Sequence, residues 1–190
     1  MNFLMNSFLQ LILYGLNAYV YVLLLRVLLE KNRVHFFNQG VQVLVKLTDF
    51  MVRPMRKVMP YLCGFDTAGL ALAVILQFAI VCLGGVFLLG DVVAVIVVAV
   101  GEMLLKLVNI YFYAILMSVL MSWLPALAEG PLGHIVYRLC EPLMYRVRCV
   151  IPPIAGLDLS AIPILIVLRL IGYVVFQFML TWGMGQTGVY

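Results

Sequence analysis

The chain has 190 residues, 66% of them hydrophobic and 11% charged, with a net charge of +4 and a mean hydropathy of +1.16. Soluble domains run near half apolar and a quarter charged, so this chain lacks the polar surface to cover itself in water and its solvent is lipid. That argues against a soluble enzyme and against an autonomous nucleic-acid-binding domain.

A bilayer core of about 30 Å needs roughly 20 apolar residues of helix. The first such stretch is Phe8–Leu29, with a single charge, Arg26, close enough to its end to need no special role. Residues 1–10 hold no Lys or Arg and no A-x-A-like site follows, so the stretch reads as a retained anchor rather than a signal peptide. The connection after it carries Lys31, Arg33, Lys46, Arg53, Arg56 and Lys57. Within it Val41, Leu44, Val45, Thr48, Met51, Val52 and Met55 recur at steps of three and four, with Lys46, Asp49, Arg53 and Lys57 on the other face. That is the pattern of an amphipathic helix suited to the headgroup layer, which Pro54 is expected to break or restart.

Ala68–Gly90, without charge, predicts the second span. Val92–Val100 is a nine-residue apolar run between Asp91 and Glu102, too short to span. It either extends the second span or lies as a short interfacial helix leading into the third, Leu104–Leu124, which carries Lys106 near its start. Glu102 and Lys106, four apart, read as an interfacial pair. The next connection holds Arg138, Arg146 and Arg148, and Leu132, Ile135, Val136, Leu139 and Leu143 repeat the amphipathic pattern opposite His134, Arg138 and Glu141, with Pro142 as its breaker. Ala161–Trp182 predicts the fourth span, with Arg169 eight positions in, about 12 Å deep.

Basic residues gather in the two long connections, so both are predicted cytoplasmic and both termini outside. Sliding residues 17–77 onto 109–169 without a gap makes 13 of 61 positions identical, among them Asn17/Asn109, Tyr19/Tyr111 and Tyr21/Tyr113. The expected fold is therefore an all-α, polytopic membrane protein, one domain over residues 1–190. It has four transmembrane helices as two parallel internal repeats, 8–90 and 100–182, each with an amphipathic cytoplasmic helical hairpin. Matches at 17, 21, 24 and 28 share one helical face. They form either a packing seam between spans one and three, or a polar site where Asn17 and Asn109 face a shared cavity.

The strongest shared signature is Arg-x-x-x-Pro-x-x-x-Gly-x-Asp, as Arg56, Pro60, Gly64, Asp66 and again as Arg148, Pro152, Gly156, Asp158. Pro ends the basic helix, Gly permits a turn, and Asp caps the following span. Each Arg has two candidate partners, a lipid phosphate or that same Asp.

These features resemble the YggT/YlmG family of integral membrane proteins, whose duplicated segment reads roughly D-P-L-x-x-P-x-R-x-x-x-P-x-x-G-x-x-D before a span. The second copy here is Glu141-Pro142-Leu143-Met144-Tyr145-Arg146-Val147-Arg148 and the first Asp49-Phe50-Met51-Val52-Arg53-Pro54-Met55-Arg56. Met121-Ser122-Trp123, closing span three, is similar to the family too. The first copy has Phe50 where the second keeps Pro142, and the second has Arg146 where the first keeps Pro54. The resemblance implies a membrane scaffold or assembly factor of the bacterial cytoplasmic (inner) membrane, linked to osmotic or extracytoplasmic stress, and carries over no catalytic residue.

The residues themselves suggest little chemistry. His35 and His134 lie outside any Cys-x-x-Cys-His or His-Glu-x-x-His motif, so no metal or cofactor is expected. Cys63, Cys82, Cys140 and Cys149 read as small buried hydrophobes or at most acylation sites. The expected partners are the bilayer, through anionic headgroups at Arg53, Arg56, Lys57, Arg146 and Arg148, and a membrane protein or a second copy; no nucleic acid is expected. Asn17, Asn109, Gln77 and Arg169 are the candidate intramembrane polar site, the basis of a second reading as an oligomeric ion or solute pathway.

Overall fold

The computed structural model describes residues 2–32, 39–57, 59, 66–85, 92–124, 128–149 and 160–184, and every element among them is helical. In chain order these are α1 (Asn2–Lys31), α2 (Gln39–Arg56), α3 (Thr67–Leu83), α4 (Val92–Trp123), α5 (Pro131–Arg148) and α6 (Ala161–Phe178), the last continuing as a π-helical segment, Met179–Met184. α2 and α5 are both 18 residues long, with both ends displaced by 92 positions.

Three helices are long and apolar enough to cross a membrane, at Leu4–Lys31, Val92–Trp123 and Ala161–Trp182. Their outward faces carry large apolar side chains, among them Leu4, Phe8, Tyr113, Ile166 and Val174, which fits a membrane protein. The predicted second span is α3, 17 apolar residues. At about 26 Å it is shorter than a bilayer core, and residues 86–90 of the expected stretch lie outside the described ones.

Two expectations are corrected. Val92–Val100 neither extends the second span nor forms a separate interfacial helix; it is the first part of α4, one unbroken helix of 32 residues. Nine residues cannot span, but the helix continues through the buried Gly101 into the next apolar run, and Ala94, Val95, Val98 and Ala99 find a buried face to occupy. Pro54 and Pro142 do not break their helices either, since both sit inside α2 and α5. Each is exposed, so the carbonyl four residues earlier loses its intrahelical donor on the solvated side, where water or headgroups replace it.

Each half has its own core. In the first, Val20, Leu23 and Leu24 of α1 pack with Val52 of α2 and Ala68, Ala73 and Ile80 of α3. In the second, Ala114 and Ile115 of α4 pack with Leu139, Cys140 and Met144 of α5 and Ile164 and Leu168 of α6, and Leu28 of α1 joins them. A third cluster, Val81 with Val95, Val98, Ala99 and Met179, binds α3 to α4 and the π-helical segment. α1 therefore packs mainly on α3, and α4 mainly on α6; the seam expected between α1 and α4 is a minor contact.

Candidate functional site

The most concentrated chemistry lies where α1, α2 and α3 converge. Arg26, one turn before the end of α1, is 2% exposed, so its guanidinium must find compensation inside the protein. Its Nη1 donates to Thr48 Oγ1. Nη2 lies 2.9 Å from Asp49 Oδ1, and Nε lies 3.3 Å from Asp66 Oδ2 and 3.5 Å from Glu30 Oε1. The Asp49 and Nε contacts are ion pairs rather than aligned hydrogen bonds. Thr48 is completed by donating to Leu44 O at 2.8 Å.

Arg56, at the last turn of α2, bridges the same carboxylates. Its Nη2 donates to Glu30 Oε1 at 3.3 Å and to Asp66 Oδ2 at 3.2 Å. Arg53 closes the rim, Nε donating to Asp49 Oδ2 at 3.2 Å. Three arginines thus face three carboxylates.

Asp66 is the hub. Besides its two arginines, its Oδ1 accepts from the Gly69 N–H at 3.2 Å, capping α3 at its positive end. A side chain at residue 69 would put its Cβ 2.8 Å from Asp66 Oδ2 and 3.2 Å from Val27 Cγ2, so the glycine lets the cap and α1 close together. The cap expected of Asp66 is present, and of the two partners considered for Arg56 the structure has Asp66. Arg26, Glu30, Thr48 and Asp49 were not among the candidate residues. The available signal was Arg26 itself, a charge inside an apolar stretch with Glu30 one turn on.

The counterparts 92 positions on are Ser118 for Arg26, Ser122 for Glu30, Cys140 for Thr48 and Glu141 for Asp49, so the second half cannot build the same network. Burial pushes the Cys140 thiol up to about 12, with the nearby Arg148 opposing the shift. Cys82 and Cys149 are exposed, contrary to the expectation of buried thiols, and only Cys140 among the described cysteines is buried.

A second polar set lies deeper. Gln77 Nε2 donates to Glu102 Oε2 at 2.7 Å, Lys106 Nζ donates to the same oxygen at 3.1 Å, and Lys106 Nζ stands 5.9 Å from the Tyr21 ring centroid. Asn109 Nδ2 donates to Tyr21 Oη at 3.4 Å. This chain ties α1, α3 and α4 together. The Glu102–Lys106 pair expected from their spacing is present on α4, at 3.1 Å.

The four residues of the candidate intramembrane site are not brought together by these contacts. Asn17 Nδ2 donates to Leu13 O of its own helix, Asn109 and Gln77 join the chain above, and Arg169 is exposed with Cζ 3.9 Å from the Phe112 ring centroid. Of the candidate headgroup residues, Arg53, Lys57 and Arg146 are exposed and Arg148 is half-buried, while Arg56 belongs to the network. Pro60, Gly64, Pro152, Gly156 and Asp158 lie outside the described residues, as do Cys63 and His35. Among the described residues no three His, Cys, Asp or Glu side chains form a metal-ligand set.

The outer face of α2 bears Lys46, Arg53 and Lys57 along one edge and the exposed Val43, Leu47, Phe50 and Met51 beside them. Its inward face delivers Thr48, Asp49 and Arg56 to Arg26. The arrangement is an electrostatic clamp holding an amphipathic helix to two apolar ones.

The family model for CCB3/YggT matches residues 5–87 and 96–179. The chain is 31% identical over 166 residues to an uncharacterized protein of Pseudomonas aeruginosa, covering 84% of this chain and 83% of the relative. It is 31% identical over 169 residues to the uncharacterized protein YggT of Escherichia coli, covering 87% and 86%. With the chloroplastic YlmG homolog protein 2 of Arabidopsis thaliana it shares 38% identity over 80 residues, 42% of this chain and 31% of the relative. No solved structure matches it.

Proposed function

The chain belongs to the CCB3/YggT family, and from that premise we propose that it is a non-enzymatic scaffold or assembly factor of the bacterial cytoplasmic (inner) membrane, active in osmotic or extracytoplasmic stress. Both connections face the cytoplasm and both termini lie outside, a reading supported by the basic residues of the two connections. The observation that carries the proposal is the clamp on α2. The network around the buried Arg26 fixes the angle of a helix whose outer face offers Lys46, Arg53 and Lys57 to headgroups and Val43, Leu47 and Phe50 to an apolar neighbour. A platform for lipid or partner needs that rigidity.

The test separates clamp from platform. Lys46→Ala and Lys57→Ala together leave all three arginines and three carboxylates of the clamp in place and remove outward charge. Nanodiscs of mixed phosphatidylglycerol and phosphatidylcholine are expected to show loss of phosphatidylglycerol enrichment around the double variant, and crosslinking in membranes to show loss of partner products. Unchanged enrichment and unchanged crosslinks would refute the proposal.

The chain Gln77–Glu102–Lys106–Tyr21–Asn109 supports a second reading, an oligomeric ion or solute pathway. Liposomes carrying the protein would then pass potassium or sodium after an osmotic step, and Lys106→Gln would alter that flux. Flux no greater than in empty liposomes excludes it. Arg169, exposed and stacked on Phe112, is not expected to matter.

A further inference from the structure

Besides the α3–α4 cluster and the polar chain, the two halves meet where α5 packs on α1 and α2. Ile135 of α5 packs on Leu29 and Val41, with Leu25, Leu44 and Val45 around it. One turn on, Leu139 joins Leu28 in a shared cluster. So α5 supplies knobs, Ile135 and Leu139, and the end of α1 with the start of α2 supplies the socket.

Displaced by 92 positions, the same parts recur: the knobs stand open, and the socket keeps a cleft although Met121 is 6% exposed and Gly133 is buried. The knobs correspond to Val43 and Leu47 of α2, 58% and 62% exposed, whereas Leu139 is 2% exposed. The socket residues Leu29, Val41, Leu44 and Val45 correspond to Met121, Gly133, Val136 and Tyr137. Those four line a cleft of about 410 Å³ between α4 and α5, with Ser118 and Ser122 in its wall. Leu28 is 8% exposed in the used socket; its counterpart Leu120 is 44% exposed.

A two-fold arrangement of the halves would bury both pairs within one chain, because each half would give its knob to the other. Only one pair is used, so the contact is head-to-tail and leaves a free knob at one edge and a free socket at the other.

We infer that the free socket takes the free knob of a second copy of this chain: Val43 and Leu47 of one protomer enter the cleft lined by Met121, Gly133, Val136 and Tyr137 of its neighbour. The walls hold Ser118, Ser122 and His134 as polar side chains and, among the described residues, no carboxylate, guanidinium or ammonium group, which suits an apolar guest. Ser118 and Ser122 stand where the first half has Arg26 and Glu30, so seating an apolar helix edge there strips no charge of its solvent. Repeated head-to-tail contacts close into a ring when the rotation allows, here a ring of half-chains with two sockets filled per pair of protomers. The inference rests on the two-repeat reading of the chain and is independent of what the protein does.

The test is disulfide trapping in membranes with the full-length protein. Val43→Cys combined with Met121→Cys, under mild oxidation, is expected to give interchain products at least tenfold above either single variant. Ile135→Cys with Leu29→Cys is the intrachain control, expected to close without a change in chain number. If the control closes and Val43→Cys with Met121→Cys yields no interchain product, lipid fills the cleft and the inference fails. Equal crosslinking by Val43→Cys alone means a face-to-face contact and also overturns it. Should the cysteine variants not fold, Leu47→Glu serves: wild type in nanodiscs is expected to carry more than one copy and the variant one, with unchanged helix content. A monomeric wild type refutes the inference.

Discussion

A guanidinium buried at 2% exposure is tolerable only while its carboxylates remain. Removing one partner of such a buried set leaves uncompensated charge and costs about 3–5 kcal/mol. Arg26→Leu, which leaves Glu30 and Asp66 to Arg56 and Asp49 to Arg53 alone, is expected to lower stability by about that amount, read as a fall in the thermal midpoint in detergent. Asp66→Asn keeps an acceptor for the Gly69 N–H and is expected to cost less than Asp66→Ala, which loses charge and cap together; the reverse order would remove the capping role. Thiol chemistry gives a second check. With Cys140 pushed up to about 12 by burial, about one thiol in a thousand is ionised at pH 9. The thiolate is the reactive form, so raising the pH from 7 to 9 should leave Cys140 unlabelled by maleimide while Cys149, exposed, reacts. Peptide mapping that finds the two equally modified would contradict the burial. At this scale the sequence was legible for Asp66 and Arg56, because a cap and a basic residue announce themselves by spacing. It was not legible for Arg26: distance from the end of an apolar stretch suggests a membrane edge, and only the packing of α2 across α1 turns that edge into an interior.

At the scale of elements, the amphipathic helices were readable and their interruptions were not. Three-and-four spacing identifies α2 and α5, but a proline's effect depends on whether the orphaned carbonyl faces solvent, which spacing does not encode. Pro142 sits in mid-helix and exposed, so Pro142→Ala is expected to raise stability by on the order of 1 kcal/mol or more. Pro54→Ala, two residues from the end of α2, should gain less; thermal unfolding of the two variants decides. Gly133 works in the opposite sense. A Cβ there would lie 2.0 Å from the Ala128 carbonyl oxygen, so Gly133→Ala is expected to cost about 1–3 kcal/mol, whereas Gly15→Ala, with open space around it, should be neutral or slightly stabilising. The merging of Val92–Val100 into α4 follows the same logic: the run could not be assigned by length, and the buried face it shares with Val81 and Met179 assigned it.

For the whole molecule, charge placement predicts an orientation. If the basic connections are cytoplasmic, a membrane-impermeant maleimide should label Cys149 in inside-out vesicles and spare it in intact spheroplasts. Labelling from the outer side would invert the proposed topology. Composition alone settled that the solvent is lipid, and apolar run lengths settled that the chain is built of helices, because both depend on sums over many residues that no single contact can overturn. The matched Asn, Tyr, Arg, Pro, Gly and Asp at offset 92 pointed to two related units by the same kind of summation. What only the tertiary structure decided is how those units differ: the first half is clamped by arginines and carboxylates, while the second places two serines and a cysteine at the corresponding positions and leaves a cleft. Periodicity registers which face of a helix is apolar, but a charge network and an empty socket depend on which faces of different helices meet, and that is fixed by packing in three dimensions.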